Sequence, residues 1–431
     1  MATLQVILIL AVFLGGVALM MTKKLPAILA LPCMGIIIAA IAGVPFISAD
    51  KETQSITSFV IASGAAKLAS TIIVTIFGAI FAKVIQKEGI SDAIIRKAAE
   101  MAGDKPLAIA IALTAATALI FTAMSGAGPV IMVATIAIPL FLSAGIRPVV
   151  AASLLLFGLN IGLIFNVSQY QLYVDTIGMD MAVIKSTSLA MGIICIVVTL
   201  AYIFINVRNT APTSNWALKA DNAPAGAVNG YKPNPVAMCM PIVPILLVFL
   251  FKWNAETALL FSIIVTALIT QPKEIVQVLS SSVVEGIKDV AGVIGLMMGI
   301  GILLNGVAAQ ATSALMQPIF SAILPTNPIV YVIVFTILSP LALYRGPLNM
   351  YGLGSGIAKI FVTAGTLSAP AVGMALRSTS VVQCVADPTN TQNVIVADFA
   401  GVDVNDILKS TLVYTMVMAL GILTYTAIFV F

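Results

Sequence analysis

Apolar runs of about twenty residues alternate with short polar connections along the chain. In the first half they lie near 3–22, 25–43, 58–82, 106–143 with an interruption, 148–165 and 186–207. After a polar stretch, the second half follows with 236–251, 257–271, 283–308, 328–361 with an interruption, 366–385 and 410–431. A helix rises about 1.5 Å per residue and needs about 20 residues to cross the hydrocarbon of a bilayer, so runs of this length predict membrane-spanning helices. A spanning barrel would instead show short segments of alternating polarity. The expected class is therefore an all-α polytopic membrane protein, multi-pass in a plasma (inner) membrane, with the lipid bilayer as its first partner. The first run has no basic region before it and no small-residue cleavage site after it, and Lys23 and Lys24 follow at once, which reads as a retained helix rather than a signal peptide.

The polar residues show that the two halves are related. SQYQLYVDTIGMD (168–180) lies over TQNVIVADFAGVD (391–403) with Gln169 on Gln392, Asp175 on Asp398, Gly178 on Gly401 and Asp180 on Asp403. At nearly the same offset Gly128 and Pro129 fall on Gly346 and Pro347, and Lys185, Ser186 and Thr187 on Lys409, Ser410 and Thr411. Apolar sequence aligns with anything; these matches are mostly polar, and they argue for an internal duplication. Counting each interrupted run as a hairpin leaves about five crossings per half, and an odd number inverts the second copy. Lys83, Lys87, Arg96, Lys97 and Lys105 follow the third crossing, while Asp50, Lys51 and Glu52 follow the second. By the positive-inside rule both termini lie outside and the linker 208–235 lies in the cytoplasm. The stretch 83–105, apolar at helical spacing beside charges, is expected to lie along the cytoplasmic surface.

The interruptions carry the chemistry. The legs on either side of MSGAGP (124–129) are short for full crossings, so Ser125, Gly126 and their neighbours fit the tip of a re-entrant hairpin. Such a tip frees backbone groups that lipid cannot satisfy, and it must line a cavity or a ligand site. The same holds for LYRGPLNMYGLGSG (343–356). The next run in each half, FGLNIGLIFNVSQYQ (157–171) and ALRSTSVVQCVADPTNTQ (375–392), begins as an apolar helix and then loads with Asn, Ser, Thr and Gln. Pro388 makes the break explicit, since the residue before a proline is pushed out of helix. A helix broken within the membrane offers free amides to anions and free carbonyls to cations.

Composition and charge narrow the occupant. Charged residues make up 9% of the chain and hydrophobic ones 60%, with a mean hydropathy of +1.12. The net charge of +4 is spread over connections, and nucleic acid is not an expected partner. Four cysteines without paired spacing indicate neither a disulfide frame nor a zinc site. With no histidine, no phosphate loop and no nucleophile motif, nothing recommends an enzyme or a cofactor. Arg345 at the second tip and Arg377 within an apolar helix are costly inside a membrane and call for counter-ions. Their forks suit a carboxylate, unless either pairs with Asp387 and serves structure. Proton coupling would fall to Asp387, whereas sodium would need a cage of carbonyls and hydroxyls in which Asn390 and Gln392 could join it.

Two polar hairpin tips (MSGAGP, LYRGPLN), each followed by a broken helix (FNVSQ, DPTNTQ), resemble the ion transporter superfamily of secondary carriers, which includes citrate transporters, gluconate permeases and anaerobic dicarboxylate carriers. The resemblance implies inverted repeats 1–207 and 236–431, with scaffold helices at 3–82 and 236–308 and transport elements at 106–207 and 328–431 that move like an elevator against a homodimeric scaffold. By the same resemblance Ser125, Gly126, Asn166, Ser168, Asn349, Thr389, Asn390 and Thr391 bind the anion and its coupling ion; the reading of the residues themselves adds Gln169, Arg345 and Arg377 to the substrate set. Sodium-coupled citrate and dicarboxylate members carry Ser-Asn-Thr at these points, and this chain has no such tripeptide. The expected function is symport of a small organic anion, a di- or tricarboxylate or a sugar acid, driven by H+ or Na+. The alternative is a cation/proton antiporter with Asp387 as the exchanging group.

Overall fold

The computed structural model describes residues 2–22, 24–48, 53–208, 210, 235–365 and 367–431, apart from the side chains of Ala2, Met21, Arg345 and residues 319–323. Lys23, the connection residues Asp50, Lys51 and Glu52, and nearly all of the linker 208–235 lie outside the described residues.

The described chain is helical throughout, without strands. The first half runs α1 (Ala2–Met21), α2 (Ala27–Ile41), a π-helical segment Ile56–Ser63, α3 (Ala69–Lys87), α4 (Ile90–Ala102), α5 (Pro106–Phe121), α6 (Ala127–Ser143), α7 (Pro148–Phe165), α8 (Val167–Ile177) and α9 (Met181–Val207). The second runs α10 (Pro235–Met238), α11 (Val243–Leu250), α12 (Ala255–Thr270), α13 (Ile275–Ala308), α14 (Gln310–Ile323), α15 (Pro328–Leu338), a 3₁₀ turn Ser339–Arg345, α16 (Leu353–Ala364), α17 (Ala369–Ala386), α18 (Thr391–Ala400) and α19 (Val404–Phe429). Six of these helices are long and apolar enough to cross a membrane, and the multi-pass reading holds.

Local chemistry accounts for the boundaries. Pro106, Pro148 and Pro328 open α5, α7 and α15 at the position where a missing N–H costs nothing. The matched Gly-x-Asp sequences encode one turn twice. Gly178 and Gly401 take the left-handed conformation that ends α8 and α18, and Asp180 and Asp403 then cap α9 and α19 through 2.7 Å bonds from Ala182 N and Asn405 N. The best-matched stretch of the two halves is therefore a helix stop followed by a helix start.

Several boundaries differ from the apolar pattern, two of them between residues 58 and 105. The run 58–82 is not one helix; it breaks at 64–68 between the π-helical segment and α3. Residues 83–87 belong to α3, so the amphipathic helix starts only at Ile90. Packing explains the first, because Gly64 meets the backbone of Gly301 on α13, and a Cβ on Gly64 would lie 2.8 Å from Ile302 Cα. The same helix α13 crosses α2 at Gly306 and Gly35, backbone against backbone. In lipid, where apolar surface supplies no drive for association, such small-residue crossings hold helices together. Gly306→Ala is expected to cost about 1–3 kcal/mol, since a methyl there collides with the Gly35 backbone, which no rotamer relieves. A lower melting temperature in detergent, with expression retained, is the readout.

Glu88 closes α3 with a carboxylate that is buried and makes no hydrogen bond, although the Thr270 and Gln271 side chains stand near it. Burial pushes its pKa above the usual carboxylate value, and Glu274 adds to the rise. The folded state thus holds this proton more tightly than the unfolded one, and stability falls as pH rises above about 4.5 towards the folded value. Glu88→Gln should melt higher than the wild type at pH 8, by about 1–3 kcal/mol for an unsatisfied buried group. The gap should close near pH 4, which melts across that pH range would show.

Candidate functional site

Two hairpins and two broken helices converge. In the first half α5 and α6 form a hairpin whose tip, 122–126, turns at Gly126 with φ +99°. In the second, α15 and α16 flank a tip that turns at Tyr344, a non-glycine residue with φ +56°. The broken helices are α7–α8, interrupted at Asn166, and α17–α18, interrupted at 387–390. Asn166 and Asn390 hold nearly the same backbone angles at the start of the second piece, so the breaks correspond.

Each break holds the hairpin of its own half. Asn166 Nδ2 donates to Phe121 O and Met124 O, both at 3.2 Å, and its Oδ1 accepts from Ser168 N at 3.0 Å. Asp387 Oδ1 accepts from Tyr344 N at 3.0 Å, from Thr389 N at 2.9 Å and from Thr389 Oγ1 at 2.8 Å. That triple acceptance also explains the left-handed Tyr344, whose amide the carboxylate fixes. The Asn349 carboxamide braces its own tip, donating to Ala342 O and accepting from Tyr351 N. Contacts then cross between halves, with Tyr351 Oη donating to Gln169 Oε1 at 2.6 Å and Tyr173 Oη 3.0 Å from Ser380 Oγ.

Between these elements lies a cavity of about 380 Å³, within the range of small-molecule sites. Ser125 and Gly126 line it from the first tip, Ser168 and Gln169 from α8, Asn349 from the second tip, Arg377 from α17, and Asp387, Thr389, Asn390, Thr391 and Gln392 from the second break. Asn166 is not on the wall; its amide is spent behind it on the hairpin. The Arg345 side chain lies outside the described residues. Sequence reasoning passed over several lining polar residues, among them Asn160, Tyr170, Tyr173 and Tyr351. Asn160 had a visible signal, as a lone amide in the apolar run FGLNIG, but the tyrosines read as ordinary amphipathic residues.

The electrostatics centre on Arg377, 4% exposed on the cavity wall. Its Nη1 donates to Thr187 Oγ1 at 2.8 Å and to Ile184 O at 3.3 Å, and its Nη2 to Ser188 Oγ at 2.6 Å. The rings of Tyr170 and Tyr173 lie 5.9 and 5.8 Å from the guanidinium carbon. All these partners are neutral, and no carboxylate pairs with Arg377 among the described residues. A structural Arg377–Asp387 pair, the plainer reading of the sequence, is absent. The lining Asp289 is neutralised by Lys83 at 2.8 Å, beside Gly128 in the first turn of α6. Asp387 Oδ2 is buried without a partner. Among the described residues the wall thus presents one buried cation without a carboxylate partner and one unpartnered carboxylate oxygen.

No sequence profile of a known protein family matches the chain, and no curated protein sequence matches it. Its fold does match solved structures. One is the Alcanivorax borkumensis YdaH transporter, described as having an unusual topology, with a TM-score of 0.63 at 12% identity over 94% of this chain and 97% of that one. Another is Neisseria gonorrhoeae MtrF, of a class of antimetabolite efflux pumps, with a TM-score of 0.58 at 12% identity over 93% and 94% of the two chains. The likeness covers nearly the whole molecule and establishes a transporter-like membrane fold.

Proposed function

We propose that this chain is a secondary active transporter for a small organic anion, coupled to H+ or Na+. The observation that carries the reading is Arg377, a buried guanidinium on a cavity wall with no carboxylate paired to it among the described residues. A charge in that setting is expensive unless a ligand compensates it, and the planar fork suits a carboxylate. The folds it resembles are those of transporters, which supports transport over catalysis. Ser125, Gln169, Asn349, Thr389, Asn390 and Thr391 supply the hydroxyls, amides and backbone groups that would contact the rest of the anion, and Asp387 with Asn390 and Gln392 would take the coupling ion. Asn166 acts through the hairpin it holds rather than by contact.

In this reading the hairpins and broken helices move as a body against a scaffold that includes α13, whose Asp289 to Met297 stretch faces the cavity. Both termini would lie outside and the linker in the cytoplasm. The long exposed apolar faces of α1 and α12 are where a second copy would sit. A cation/proton antiporter is the competing reading, favoured by the partnerless Asp387 Oδ2.

Thermal-shift titration of the purified protein against mono-, di- and tricarboxylates and sugar acids, with and without sodium, tests the proposal, because a ligand of the folded state raises the melting temperature by mass action. Stabilisation by a carboxylate supports the anion carrier, and its dependence on sodium identifies the coupling ion. A shift with sodium alone, and none with any anion, would replace this reading with the antiporter.

A further inference from the structure

The buried polar atoms that lack partners around this cavity sort by chemical type. At the break between α17 and α18 the unpartnered atom of a lining residue is an acceptor, Asp387 Oδ2. Across from it, on α7 and α8, the unpartnered atoms belong to groups that can donate. Asn160 Nδ2 has no acceptor; its side chain is 3% exposed and stands near the Cys195 thiol without completing a bond to it. The Tyr170 hydroxyl, in a residue 1% exposed, stands near Ser188 Oγ and also completes no bond. Both residues line the cavity, as does Arg377, and the Tyr170 ring is within 5.9 Å of the guanidinium.

Native structures leave few buried donors unsatisfied, and those that remain call for an explanation such as a missing partner. Ser188 Oγ donates to Ile184 O at 2.7 Å and accepts from Arg377 at 2.6 Å; it keeps one lone pair, but no bond from Tyr170 reaches it, and the phenol stays open to a ligand. A thiol is a weak acceptor for Asn160. We propose that Asn160 and Tyr170 complete, with Arg377, a subsite for one carboxylate group of the transported anion. The proposal rests on the anion-carrier reading and adds to it two residues that decide which anion is held.

The chemistry selects the class. A carboxylate offers two oxygens in one plane, enough lone pairs to take a guanidinium edge, an amide N–H and a phenol O–H at once. Its single charge balances Arg377, the one cation on the wall among the described residues, because Lys83 is committed to Asp289. A phosphate or sulfate dianion would leave charge unbalanced in the same place.

The test uses the purified full-length protein and thermal-shift titrations with succinate, citrate and gluconate, with chloride and sulfate as comparison anions. Tyr170→Phe removes only the hydroxyl and keeps the ring, and Asn160→Leu removes the donor at similar volume. For a carboxylate that binds the wild type, each change should weaken binding about tenfold, the scale of a hydrogen bond to a charged group. The unliganded melting temperature should hold or rise, since a buried unsatisfied donor has gone. Unchanged affinity together with a lower unliganded melting temperature would assign these residues to packing and overturn the subsite. If Arg377→Lys loses binding while both variants bind like the wild type, the subsite falls and the anion carrier stands. Binding of sulfate as tight as that of the carboxylates would overturn the class, and no binding by any probe to the wild type would remove both proposals.

Discussion

Arg377→Lys is expected to abolish anion uptake and to weaken carboxylate binding by 30-fold or more, while the protein still inserts and folds. The charge is kept in this variant, so the loss would report the fork. Arginine reaches Thr187, Ser188 and Ile184 O at once through Nη1 and Nη2, which fixes the plane it presents to the cavity. An ammonium is a compact, strongly hydrated point charge on a flexible stem and cannot reproduce that plane. The charge-assisted hydrogen bonds of the fork are worth about 1.5–3 kcal/mol each, and losing one at the middle of that range already weakens binding about 30-fold. Two measurements decide it, uptake into proteoliposomes and the thermal-shift midpoint of the unliganded variant. If Arg377→Lys transports like the wild type, the guanidinium serves the packing of α17 against α9 and the anion reading loses its support.

Asp387→Asn is expected to uncouple transport from the cation or proton gradient without unfolding the second break. The two carboxylate oxygens have different duties. Oδ1 organises the break and the second hairpin tip through Thr389 and Tyr344 N, and a carboxamide oxygen can still accept those bonds. Oδ2 is buried and unpartnered, and the substitution replaces it with a neutral donor that neither binds a proton nor ligates sodium. Accumulation against a gradient should fall at least tenfold, while exchange of bound anion at equilibrium continues. Asp387→Ala is a harsher change, since it also leaves Tyr344 N and Thr389 without their acceptor, and a falling melting temperature should accompany it. Concentrative uptake by Asp387→Asn at the wild-type level would remove Asp387 from coupling and leave it a structural clamp.

Much of the fold was legible because membrane physics writes itself in long periods. The interrupted runs at 106–143 and 328–361 appear as helix pairs around a tip, and the Asn- and Thr-rich ends of two helices appear as breaks, since freed backbone in lipid demands polar neighbours. The Gly-x-Asp match between halves has a local cause in one glycine stop and one aspartate cap. The break at 64–68 was not legible, because its cause is the approach of Gly301 from α13, far away in sequence. Asn166 shows the same limit in the other direction. Its residue type fits a binding group, yet only its neighbours Phe121 and Met124 reveal that its amide is spent on the hairpin.

The sequence by itself determined the solvent this protein lives in, the helical class, the positions of tips and breaks, and the presence of a costly arginine in an apolar helix. These follow from burial cost and hydrogen-bond saturation, which act over a few consecutive residues. Tertiary structure alone decided that Arg377 has neutral partners rather than Asp387, that Lys83 cancels Asp289, and that Tyr170 and Asn160 stand beside the same cavity. Those outcomes depend on which groups come within about 3 Å of one another, and a one-dimensional pattern of polarity carries no such distances.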